Sequence, residues 1–363
     1  MNLDNLRGFW LRCPQNGLEA YRLRGSMKKT LEQGLIQVYE GPEGHHNTAP
    51  LGLALRASGH GLKTFFADFT PGSPLEDLER ASRLLGGRLV VEVAFPQGRA
   101  EEALSVRELL DRTSCALAQG DYDLVILEGI GPWVRKGGLR QQELLILLEQ
   151  RPRQVELILS GPSLPEALVS RADLVTQMEV SIPSPHEPPL PFQKGFVEVV
   201  SGDGKGKSTY AFGRALLHAA RGEPSRIFQF VKAPGGYGEI RAIQRIPLIE
   251  IRTMGKGFVM SGKPTDKHQE AALEAWKASL EEIRQGAGGV VILDEIHVAI
   301  HLGLLPAEKV WEGLLKTPPP LHLILTGRYA PSLLVQAAQR YVCMKEVRHP
   351  FHRGVPARKG IEF

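Results

Sequence analysis

The run Val197-Glu198-Val199-Val200-Ser201-Gly202-Asp203-Gly204-Lys205-Gly206-Lys207-Ser208-Thr209 sets three glycines and two lysines between an apolar stretch and a helical pattern. A glycine-rich turn entered from a strand and left by a helix cradles phosphate. Its backbone N–H groups point inward, the helix start adds a partial positive charge, and a lysine neutralises the anion. The spacing predicts that Gly202, Asp203, Gly204, Lys205, Gly206, Lys207, Ser208 and Thr209 bind ATP, with Ser208 ligating Mg2+. The glycine that ordinarily opens this pattern is Ser201 here, so the motif is a variant. Downstream, Val290-Val291-Ile292-Leu293-Asp294-Glu295 reads as a buried strand ending in two acids. Beside a phosphate loop, Asp294 and Glu295 are placed to hold Mg2+ and its waters as a polyphosphate bond breaks. Lys207 and Glu295 are the candidate catalytic pair. Arg328, at a further strand end, either contacts phosphate or ribose or serves as a surface ion-pair partner. These residues imply triphosphate binding and leave open which bond is broken.

The elements that must carry these groups are written twice. Gly34-Leu35-Ile36-Gln37-Val38-Tyr39-Glu40-Gly41 lies over Gly195-Phe196-Val197-Glu198-Val199-Val200-Ser201-Gly202, and Gly52-Leu53-Ala54-Leu55 over Gly213-Arg214-Ala215-Leu216. After a short insertion, Asp123–Glu128 matches Gly289–Asp294 and Leu157–Gly161 matches Leu323–Gly327. Short Val/Ile/Leu runs alternate with longer helical patterns, which predicts parallel strands joined by crossover helices. The fold class expected is α/β: two tandem P-loop NTPase-like (RecA-like) domains, each a mostly parallel sheet flanked by helices. Strands are expected near 196–200, 226–231, 248–252, 289–293, 321–326 and 341–346, with helices over 208–220 and 265–285. The organisation reads as an N-terminal segment over 1–30, a degenerate domain over 31–182, a Pro-rich linker over 183–193 and a catalytic domain over 194–363. In the first repeat, His46 and Asn47 stand where Lys207 and Ser208 stand, and Glu43 and His45 replace Gly204 and Gly206. An acid beside the phosphates and the loss of the lysine predict a silent loop.

Composition is that of a globular chain, 42% hydrophobic and 23% charged, so both repeats can bury a core. Arg340, Lys345, Arg348, Arg353, Arg358 and Lys359 outweigh Glu346 and Glu362, which places the net charge of +4 in the C-terminal stretch. That stretch is a solvated face or a contact for a small anion; it does not call for nucleic acid. Cys13, Cys115 and Cys343 lack paired spacing and read as thiols of a reducing compartment. No apolar run is long enough to span a bilayer, and the first residues lack a secretory pattern, so a cytoplasmic protein is expected.

Taken together, residues 194–363 resemble the ATP:corrinoid adenosyltransferases. The resemblance rests on the loop 202–209, Gln229-Phe230-Val231-Lys232, Gly238-Glu239, Gly257-Phe258, Leu293-Asp294-Glu295, Thr326-Gly327-Arg328, His349-Pro350-Phe351, Gly354-Val355 and Gly360-Ile361-Glu362-Phe363. It implies transfer of the 5′-deoxyadenosyl group of ATP to a corrinoid cobalt in its +1 state, with triphosphate leaving, Mg2+ as cofactor and a flavoprotein reductase as electron donor. In the family a Gly-Phe-x-Trp stretch covers the lower face of the corrin. Here Phe258 matches and Met260 stands in the tryptophan position, so these two are the corrinoid-binding candidates. The resemblance also implies a dimer, supplied either by a second chain or by the fused first repeat as an intramolecular pseudo-dimer. The alternatives carried beside it are a nucleotide-binding regulatory or chaperone-like module without corrin chemistry, and a plain ATPase or kinase.

Overall fold

The computed structural model describes residues 31–42, 47–95, 97, 104–181, 196–233, 235–257, 264–286, 289–315 and 321–363. The N-terminal segment expected over 1–30, the Pro-rich linker, Glu43, His45 and His46, and Phe258 and Met260 lie outside the described residues.

The first repeat runs β1 (Ile36–Glu40), α1 (Ala49–Gly59), β2 (Thr64–Asp68), α2 (Leu75–Leu84), β3 (Leu89–Val93), α3 (Val106–Gln119), β4 (Leu124–Glu128), α4 (Gly131–Arg135), α5 (Gln141–Gln150), β5 (Glu156–Gly161), α6 (Glu166–Val169) and β6 (Leu174–Ser181). The second repeats it as β7 (Phe196–Ser201), α7 (Lys207–Ala220), β8 (Ser225–Gln229), α8 (Gly238–Ile243), β9 (Ile249–Thr253), α9 (Asp266–Gln285), β10 (Val290–Asp294), α10 (Ile296–His301), α11 (Ala307–Leu314), β11 (His322–Thr326), α12 (Ser332–Ala337) and β12 (Arg340–Arg348). Each strand expected in the second repeat is present within a few residues of its expected bounds. The strands β4 and β10 are buried end to end, and apolar up to their last residues Glu128 and Asp294, because helices cover both faces of the sheet. Helix α9 starts at a capping box on Thr265 and stops where Gly286 takes a left-handed conformation, the usual local signals for both ends.

The two sheets expected from the sequence are joined into one. Its 12 strands run in the order β3-β2-β4-β5-β1-β6-β12-β7-β11-β10-β8-β9. All neighbours are parallel except β6 and β12, which pair antiparallel with Met178 opposite Met344. These methionines occupy equivalent positions in the two repeats, so a pseudo-two-fold axis passes between them. The same axis relates α1 and α7, which cross at equivalent glycines. A Cβ on Gly52 would sit 1.8 Å from the Thr209 carbonyl oxygen, and one on Gly213 would sit 2.1 Å from that of Thr48. Only glycine lets the two backbones approach this closely. Thr48 Oγ1 donates to Tyr210 O at 2.7 Å and fixes the crossing.

The packing follows this symmetry. One core cluster unites Leu55, Ala57 and Met178 of the first repeat with Leu216, Ala219 and Met344 of the second, whereas the outer face of each half-sheet has a core of its own. The inner helices therefore cannot bury their apolar sides unless both repeats are present. Cys343 is a free thiol, and Cys13 lies outside the described residues. Among the described residues no helix is long and apolar enough to cross a membrane.

Candidate nucleotide site at the repeat interface

Strand β7 delivers the chain into the loop, and the backbone of β12 closes its floor. Gly202 takes φ 103° and Gly206 φ 111°, conformations open to glycine. Gly204 N donates to Met344 O at 2.8 Å, and a Cβ at Gly202 would lie 2.2 Å from that same oxygen. Asp203 faces outward: its Oδ1 accepts from Glu346 N at 3.0 Å and its carbonyl accepts from Arg328 Nη2 at 2.9 Å. Arg328, exposed, thus sits against the outside of the loop.

The loop opens on a cavity of about 230 Å³ lined by Lys205, Gly206, Lys207, Ser208, Thr209 and Glu295 from the second repeat. Lys207 is buried at the start of α7, and its Nζ donates to Gly204 O at 2.6 Å. Burial pushes its pKa down to about 8. Glu295 follows β10 in a left-handed conformation, and burial together with the neighbouring Asp294 raises its pKa. Asp294 is fully buried behind it. Its Oδ1 accepts from Thr326 Oγ1 at 2.8 Å and its Oδ2 from Gln229 Nε2 at 3.0 Å, with Lys232 Nζ at 3.6 Å. Ser208 and Glu295 thus present a hydroxyl and a carboxylate to the cavity, and Asp294, whose oxygens are engaged, stands behind them. Among the described residues no group of three or more His, Cys, Asp or Glu side chains is placed to hold a metal ion.

The other wall of the cavity comes from the first repeat and the C-terminal residues: Gln37, Tyr39, Leu53, Arg56, Ile361 and Glu362. Arg56 Nε lies 2.8 Å from Glu239 Oε2, and its Nη1 donates to Ile361 O at 3.0 Å. Glu239 also meets Lys232 at 3.2 Å. Despite burial, Arg56 and Lys232 hold Glu239 down to about 2. Against burial, Asp294 and Glu239 hold Lys232 above its ordinary range. A second ion chain runs from Lys205 to Glu362 (3.3 Å), on to Arg358 (3.0 Å), and ends at Glu156 in β5 (2.7 Å). The sequence reading did not assign Arg56, Tyr39 or Glu362 to the site. One signal for Arg56 was available: it is a single cation in the otherwise uncharged helix Ala49–Gly59, and its counterpart in α7 is Leu217. A buried cation on an apolar face needs a partner, and its partner lies in the other repeat.

The corresponding place in the first repeat is built differently. Asn47 stands where Ser208 does, and its Oδ1 accepts from Ala49 N, the first residue of α1, at 3.0 Å. Where Gln229 neighbours Asp294, Asp68 neighbours Glu128. Burial and the Asp68 charge push Glu128 up to about 8. A raised carboxyl stabilises the fold below its unfolded pKa and loses that contribution as pH rises through its folded value. Glu128→Gln is therefore expected to match the parent at pH 5 within about 1 kcal/mol and to exceed it by ~3 kcal/mol at pH 9 in denaturant titrations. Equal stability at both pH values would show that Glu128 ionises normally.

Comparison with known proteins agrees with this architecture. The family model described as ATP:corrinoid adenosyltransferase BtuR/CobO/CobP matches twice, over residues 32–182 and 193–363. A corrinoid adenosyltransferase of Sinorhizobium sp is 33% identical, the match covering 47% of this chain and 81% of that protein. One of Pseudomonas aeruginosa is 32% identical, with 47% and 85% covered. An uncharacterized protein of Nostoc sp. is 28% identical across 91% of this chain and 95% of its own length, so it shares the tandem arrangement. With a phosphate loop in one repeat, the equivalent fold in the other and the family model matching both, the chain belongs to the ATP:corrinoid adenosyltransferase BtuR/CobO/CobP family of transferases.

Proposed function

We propose that the chain transfers the 5′-deoxyadenosyl group of ATP to the cobalt of a corrinoid, either cobalamin or cob(I)yrinic acid a,c-diamide. The +1 cobalt supplies the electron pair for a bond to ribose C5′, and the C5′–O bond breaks with its pair leaving on triphosphate. The observation that carries this reading is the convergence of Lys205, Lys207 and Arg56 with Ser208 and Glu295 on one cavity. Such a lining serves a polyanionic leaving group. Because the substrate cobalt is itself the nucleophile, the protein's task is to align the reactants and stabilise the departing charge. Lys207 and the loop N–H groups hold the triphosphate, Ser208 and Glu295 would hold Mg2+ with Asp294 behind them, and Arg328 turns from Asp203 to phosphate or ribose. The chemistry that Mg2+ would supply there is charge neutralisation of the leaving triphosphate. Phe258 and Met260 are assigned to the corrin face.

The catalytic domain is residues 194–363, and residues 31–182 form a silent repeat that walls its site, an intramolecular counterpart of a dimer. We place the reaction in the cytoplasm, with a flavoprotein reductase as electron donor. A second reading, an ATP-binding regulatory or chaperone-like module, draws on Met260 in the tryptophan position. Incubation with ATP, Mg2+ and chemically reduced corrinoid separates the two. Adenosyl transfer gives the cobalt–carbon spectrum and free triphosphate; nucleotide binding with no spectral change would favour the regulatory reading, and ADP with phosphate a plain ATPase.

A further inference from the structure

Glu295 stands at φ 63°, a backbone conformation that residues bearing a Cβ rarely adopt. Its counterpart in the first repeat, one residue past β4, is Gly129, at φ 71°. The same strand-to-helix turn thus recurs in both repeats, and the fold imposes a left-handed residue there. In the silent repeat glycine makes the turn without strain. In the repeat with the phosphate loop, a glutamate lining the cavity makes it.

The contacts that hold this residue are specific to the second repeat. Glu295 N donates to Thr326 Oγ1 at 3.1 Å, and Thr326 Oγ1 donates to Asp294 Oδ1 at 2.8 Å. Both Thr326 and Asp294 are fully buried, and Asp294 is anchored on its other oxygen by Gln229. In the first repeat the equivalent amide, Gly129 N, donates instead to the backbone oxygen of Ser160 at 2.8 Å. We propose that Thr326 is a positioning residue: its hydroxyl, clamped by Asp294, holds Glu295 in the left-handed turn so that the carboxylate meets the Lys207–Ser208 end of the cavity. The strain at position 295 is retained because a glycine there would remove the carboxylate.

The proposal rests on the reading of this cavity as an MgATP site, and its test uses binding and stability rather than adenosyl transfer. In thermal unfolding of the full chain, Glu295→Gly should melt about 2–4 °C above Glu295→Ala, since both lack the carboxylate and only alanine keeps the strain. By calorimetry, Thr326→Val should weaken MgATP binding about tenfold while leaving ATP in EDTA unchanged, and Thr326→Ser should restore it. In a Glu295→Gly background, Thr326→Val should weaken MgATP binding no further, because the carboxylate that Thr326 aims is already gone. If Thr326→Val does not fold, Thr326→Ala carries the same expectation. Equal melting of the two Glu295 variants, or a Thr326 effect that persists in EDTA or adds in full to Glu295→Gly, would overturn the assignment. A parent chain that binds ATP in neither condition would instead overturn the nucleotide reading beneath it.

Discussion

Lys207→Ala is expected to abolish ATP binding measured by calorimetry, and turnover with it. Lys207 emerges from the first turn of α7, where the loop amides and the helix N-terminus already favour an anion, and it is the buried cation of that arrangement. A charge-assisted contact to phosphate inside a desolvated site is worth several times a surface ion pair, and its truncation costs about 2–5 kcal/mol, or roughly 30-fold to several thousandfold in affinity. Undiminished affinity would remove Lys207 from the site. The same residue sets a pH dependence. With a folded pKa of about 8 lowered by burial, Lys207 is charged at pH 7 and largely neutral at pH 9. Bound triphosphate favours the charged form, so affinity should fall about tenfold from pH 7 to pH 9. In Lys207→Arg the charge persists across that range, and whatever affinity remains should be flat with pH.

The second large effect is expected on separating the repeats. Residues 191–363 expressed alone should be insoluble or lack adenosyltransferase activity. Without the first repeat, β12 becomes a bare edge and the apolar side of α7 loses α1 and α2, exposing the shared core to water. Self-pairing across the same face would not repair the site. A second copy would place Val200 where Tyr39 stands, Glu198 where Gln37 stands and Leu217 where Arg56 stands, so the wall opposite Lys207 would lose its arginine and gain a buried acid. Such a charge exchange beside a triphosphate costs about 3–5 kcal/mol and leaves Glu239 without its Arg56 partner. Full turnover by the isolated half would show that the first repeat is dispensable and that Arg56 has no role in the site.

Much of this molecule is written in local pattern. Apolar runs such as Val290–Leu293 fix strands because a two-sided parallel sheet requires them. The order Val197–Thr209 fixes a phosphate loop because only glycines in that spacing can turn tightly and present amides. The duplication was visible for the same reason, since equivalent strands need equivalent residues. The joining of two half-sheets at Met178 and Met344 was not visible, nor was the close crossing at Gly52 and Gly213. Nor could the sequence assign Thr326 to the backbone of Glu295 or Arg56 to Glu239 across the chain. Those contacts join residues distant in sequence, and no periodicity encodes them; they exist only once loop closure brings the repeats together. The sequence by itself determined the elements, their duplication and which phosphate loop kept its lysine. The tertiary structure decided that the cavity beside the phosphate loop is completed by the first repeat, because buried Arg56 of that repeat finds Glu239 in the other.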